Sequence, residues 1–85
     1  MQFEHRIAKW EIKWGRLGLR SNLSLLSVLQ SKRFTMVIED TSYHNRKIDR
    51  AGRVWVGVRA LEHFRPDDTA IIELKDDTLY VRKKK

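Results

Sequence analysis

No apolar run in this chain exceeds a few residues, and turn formers break it throughout: Gly15, Gly52, Pro66 and the pairs Asp67, Asp68 and Asp76, Asp77. Such a chain can build short strands and very short helices. It has no segment long enough to span a bilayer and no apolar stretch behind Met1 that would read as a signal peptide. Its 85 residues amount to one domain, and without cysteine that domain must hold together by packing rather than by disulfides or a thiolate zinc site. At 41% hydrophobic content the chain is expected to fold, and the expected setting is soluble, intracellular and cytoplasmic.

From His5 to Trp14 the residues Ala8, Trp10, Ile12 and Trp14 alternate with Lys9, Glu11 and Lys13, which predicts a strand whose buried row includes Trp10 and Trp14. A second extended piece is expected at Leu17 to Arg20. Ser21 or Asn22 would then cap a short helix in which Leu23, Leu26 and either Leu29 or Gln30 share a face. Phe34 to Ile38 reads as a strand closed by a turn at Glu39, Asp40 and Thr41, and Tyr43 to Arg50 as the next strand, ending in a turn at Ala51 and Gly52. Val54 to Val56 follows as a strand ending at Gly57. Arg59 to Phe64 is a very short helix stopped by Pro66, and Thr69 to Leu74 with Leu79 to Arg82 makes a hairpin around Asp76 and Asp77.

The expected class is therefore mainly β with short helices. A shift of about 37 residues lays Gly15, Arg16 on Gly52, Arg53, lays Asp40, Thr41, Tyr43 on Asp77, Thr78, Tyr80, and brings Leu17 and Leu19 onto Val54 and Val56. The order strand, strand, helix, hairpin would then occur twice, in candidate halves 3–47 and 48–85.

Eighteen Lys and Arg against eleven Asp and Glu leave a net charge of +7. Lys9, Lys13, Arg16 and Arg20 gather near the first Gly-Arg turn, and Arg46, Arg50, Arg53 and Arg59 near the second. Such clusters suit a phosphate backbone, and a guanidinium can fork onto a phosphate or a guanine edge where an ammonium cannot. The same residues also read as the polar faces of ordinary strands. Trp55, lying between Val54 and Val56 with opposite parity, is the best aromatic candidate for a contact. His5, His44 and His63 have no carboxylate or thiol company at ligand spacing, the paired aspartates belong to turns, and the glycines form no phosphate-cradling loop. No metal, cofactor or catalytic constellation is expected.

The stretch Arg46, Lys47, Ile48, Asp49, Arg50, Ala51, Gly52, Arg53, Val54, Trp55, Val56 resembles the opening of the AbrB/SpoVT swapped-hairpin domain, in which a basic strand ends in a Gly-Arg turn and a Val-x-Ile/Val strand follows. The resemblance continues through Pro66, Asp67, Asp68 and the closing hairpin to residue 85. Lys13, Trp14, Gly15, Leu17, Leu19 and Arg20 are similar to the Lys/Arg-Trp-Gly and Leu-Arg run of the MazE antitoxin branch. The chain departs from the family at Gly57, where Ile-Pro is usual, and at Asp67, where the family has Gly.

The resemblance implies two strand-strand-helix-hairpin halves closing one small β-barrel, within one chain as a monomeric pseudo-dimer or across a homodimer. It further implies a transcriptional regulator or chromatin-associated protein, in association with the nucleoid, that binds duplex DNA in preference to RNA. Lys13, Arg16, Arg20, Arg46, Lys47, Arg50, Arg53, Trp55 and Arg59 are the residues expected to do so. An RNA-binding or ribosome-associated protein and an antitoxin-like protein-interaction module are the alternatives. The Lys83 to Lys85 run adds phosphate attraction or solubility.

Overall fold

The computed structural model describes residues 2–20 and 22–84. Its first departure from the expected pattern comes at Ile7, where the alternating stretch divides: β1 covers Gln2–Arg6 and α1 covers Lys9–Trp14. Local chemistry at both ends favours the helix over the strand. Ala8 at the N-cap is extended, and its N–H donates to the Glu11 carboxylate at 2.7 Å, which is the return half of a capping box. Gly15 ends the helix in the left-handed region at φ 66° and donates its N–H to the Glu11 carbonyl. Six residues gain little from propensity alone, so the helix depends on what it packs against. Glu11 and Ile7 are the buried residues of this stretch, while Trp10 and Trp14 are exposed. The expected core row of tryptophans is therefore corrected: four apart on a helix, the two indoles share its outer face.

β2 follows at Arg16–Gly18, and Asn22 caps α2 (Leu23–Leu29) by accepting the Leu25 N–H at 3.0 Å. Ser21, the other cap expected, lies outside the described residues. The inward face of α2 is Leu25, Leu26 and Leu29, and Leu23, expected among them, is 73% exposed. β3 (Phe34–Ile38) and β4 (Thr41–Arg46) form a hairpin whose register shifts between Phe34 and Met36, with Asn45 at φ 59° in the bulged strand. The strand ends at Arg46, four residues before Arg50, and Ile48 makes only an isolated bridge to Val54. β5 is Arg53–Trp55. The expected helix at Arg59 to Phe64 is a 3₁₀ turn at Val58–Leu61, and β6 (Thr69–Lys75) and β7 (Thr78–Lys83) form the last hairpin.

The fold is mainly β with two short α-helices. Its larger sheet has the order β1-β6-β7-β3-β4, antiparallel except for the parallel β3–β7 pair, and among the described residues β4 does not pair back with β1. Phe34, Met36, Ile38, Ala70, Ile72, Leu79 and Val81 turn one face of this sheet inward. β2 and β5 form a separate antiparallel ribbon that buries Leu17 and Val54. Both sheets, α2 and the 3₁₀ turn contribute to a single hydrophobic cluster.

The ribbon pairs Leu17 with Val54, Arg16 with Trp55 and Gly18 with Arg53, the pairing that a two-fold axis through Leu17 and Val54 would generate from the 37-residue shift. The hairpin turns match as well, with Glu39 at φ 54° and Asp76 at φ 56°. Burial does not follow the shift. Met36 and Ile38 are buried, whereas the residues at their shifted positions, Glu73 and Lys75, are exposed, and β1 occupies the free side of β6.

Candidate nucleic-acid interface

Strand alternation decides which side chains the ribbon presents to solvent. With Leu17 and Val54 at the core, Arg16, Gly18, Arg53 and Trp55 belong to the outer face. Helix α1 lies beside β2 and adds its two exposed indoles to that face. Trp10, Trp14, Arg16 and Arg53 line one cleft of about 250 Å³. Gly18 makes room for it: a Cβ there would stand 2.9 Å from Cη2 of Trp10. All three tryptophans of the chain thus lie on one face, 41%, 59% and 59% exposed at Trp10, Trp14 and Trp55. Large aromatic side chains are normally well buried, so three exposed together mark a surface with a task.

Cations accompany the indoles. The Lys13 Nζ sits 5.4 Å from the centre of the Trp14 ring, and the Arg46 guanidinium 5.8 Å from that of Trp55. Arg46 is oriented by two carbonyls, donating from Nε to His44 at 3.0 Å and from Nη1 to Trp55 at 3.4 Å. Asp49 shapes the turn ahead of β5: its Oδ1 accepts the N–H groups of Ala51 and Arg53 at 2.9 Å each. Its Oδ2 stands 3.4 Å from Arg53 Nε, close enough for Coulomb attraction, yet the buried Nε makes no hydrogen bond. The Arg16 side chain has no ion pair or hydrogen bond among the described residues, so the guanidinium lining the cleft is uncommitted.

Beneath this surface lies the only buried charged residue among those described. Glu11 is 1% exposed, and its carboxylate accepts the Ala8 N–H at 2.7 Å and the Gly18 N–H at 2.8 Å, with the His5 ring Nε2 at 2.8 Å. One side chain therefore ties β1, the start of α1 and β2 together, and it sets the helix that carries Trp10 and Trp14 against the strand that carries Arg16.

The expected site residues divide into groups. Arg16, Arg46, Arg53 and Trp55 meet on or beside the ribbon, and Lys13 joins them through Trp14. Arg20 is exposed just past β2, next to the Gly52 turn, whose carbonyl accepts the Leu19 N–H at 2.7 Å. Lys47 and Arg50 line a different groove with Gln30, Ile48 and Asp49. Arg59 lines a recess with Glu39, Asp40, Glu62 and His63, where acids surround it. Trp10 and Trp14 are the surface residues that strand periodicity concealed. Their signal in the sequence is the four-residue spacing, which places both on one side of a helix.

No family model matches this chain, and no curated protein or solved structure matches it either. Among the described residues no helix is long and apolar enough to cross a membrane.

Proposed function

We propose that this chain binds nucleic acid through the outer face of the β2–β5 ribbon, as a regulator or chromatin-type protein related to the swapped-hairpin family. One observation carries the reading: Arg16 and Arg53 line a single cleft with the exposed Trp10 and Trp14, so anion-binding forks and π surfaces stand side by side. Both arginines follow a left-handed glycine, Gly15 and Gly52, as in the Gly-Arg turns of the family the chain resembles. The pairing of β2 with β5 brings Arg16, from the first basic cluster of the sequence, and Arg53, from the second, to the same cleft. Duplex DNA is the target that the resemblance implies, whereas the face itself, cationic and aromatic, supports nucleic acid as a class.

The test is a titration against duplex DNA, single-stranded DNA and structured RNA at two salt concentrations. Four cations on this face, Lys13, Arg16, Arg46 and Arg53, set a log–log salt slope of roughly −3 to −4, and Arg53→Ala should flatten it by about one. Micromolar protein that shifts none of the three polymers at low salt refutes the reading.

A further inference from the structure

Resting on that nucleic-acid reading, the geometry points to an unpaired strand as the ligand. We propose that the exposed indoles of Trp10, Trp14 and Trp55 stack on unpaired bases while Arg16 and Arg53 hold the intervening phosphates.

The argument begins with what each surface can bind. In a duplex the π faces of the bases are covered by their neighbours, so a protein meets base edges and phosphates, and an indole gains little there. Single strands expose the faces themselves, and proteins that hold them combine a positive groove with aromatic platforms. Here the three indoles are the most apolar part of the face, and guanidiniums lie between them: Arg16 is the cross-strand partner of Trp55 and lines the cleft with Trp10 and Trp14. A single strand repeats the same alternation, one flat base and one phosphate per nucleotide. Lys13 and Arg46 each lie over one face of an indole, at Trp14 and Trp55, and both rings remain 59% exposed.

Other occupants fit less well. An aromatic cage for a quaternary ammonium would not place Arg16 and Arg53 in its own wall. A second copy of this chain docked by a two-fold on the ribbon would bring Arg16, Arg53 and Arg46 against their own equivalents, like charge facing like charge. The face is cationic and planar-aromatic at once, which selects a ligand that is anionic and planar-aromatic.

The experiment compares three probes at low salt: an oligothymidylate of about 12 nucleotides, a duplex of equal length, and an abasic oligonucleotide with the same phosphates. Binding is read by affinity and by tryptophan fluorescence. The oligothymidylate should bind tightest and quench the fluorescence. Trp14→Ala, at a position exposed enough to leave the core untouched, should weaken it about 5- to 100-fold without changing the salt slope, and Trp14→Phe should restore much of the loss. Arg16→Ala should weaken it and flatten the slope. The inference is overturned, with the nucleic-acid reading intact, if duplex or abasic strand binds as tightly as oligothymidylate, or if Trp14→Ala and Trp55→Ala both retain full affinity. Binding to none of the probes overturns both.

Discussion

Replacing Glu11 is the sharpest test of how this small fold holds the face that carries its tryptophans. The carboxylate is 1% exposed and takes hydrogen bonds from two backbone N–H groups, those of Ala8 and Gly18, with His5 as a third neighbour. Glu11→Ala leaves both part-buried N–H donors unsatisfied, each costing about 1–3 kcal/mol, and also removes the hydrogen-bond partner of the His5 ring. The sum is about 3–5 kcal/mol, comparable with the whole stability of a domain this size. Glu11→Gln is the more informative variant. Its amide oxygen can satisfy one of the two backbone donors while its NH₂ is turned toward the other, so about 1.5–3 kcal/mol should be lost and the protein should remain foldable. Urea unfolding followed by far-ultraviolet circular dichroism gives the midpoint and slope for both variants. An unchanged slope with a lowered midpoint places the effect in stability rather than in the extent of unfolding. A loss below about 1 kcal/mol for Glu11→Ala would refute the reasoning, because it would mean that water reaches both donors and that the carboxylate is not the tie between β1, α1 and β2.

Two further outcomes are expected. Gly15→Ala should cost at least about 2 kcal/mol in the same unfolding assay, because φ is 66° there and a Cβ would meet the Gly57 carbonyl carbon and the Val58 nitrogen at 2.4 Å, which are backbone atoms unable to step aside; a midpoint within error of the parent excludes that close approach. The Arg65 backbone N–H, at 2.8 Å, and then Lys83, at 3.2 Å, hold the Asp68 carboxyl below its ordinary value of 3.8, so its contribution to stability is present above that value and is lost as pH falls through the lower folded one. Asp68→Asn should therefore be less stable than the parent at neutral pH and converge on it in acid, and a gap that does not change with pH would rule out the linkage.

Much of the β framework was legible along the chain because its signals are local. Phe34, Met36 and Ile38 alternate strictly into the core, Asp76 and Asp77 mark the turn between β6 and β7, and Asn22 caps the helix it precedes. The clustering of arginines about Gly15 and Gly52 was legible too, although the sequence did not show that Arg16 and Arg53 share a cleft. That depends on β2 pairing with β5 across the 34 residues between them, and the same tertiary arrangement carried Lys47, Arg50 and Arg59 to other surfaces. The stretch from His5 to Trp14 lay beyond sequence reading for a physical reason. Its alternation suits a strand, its caps suit a helix, and neither preference over six residues amounts to much free energy. The choice fell to Glu11, whose burial becomes favourable only when the Gly18 N–H and the His5 ring arrive from other elements to satisfy it. With that carboxylate turned inward, Trp10 and Trp14 lie on the exposed side of the helix.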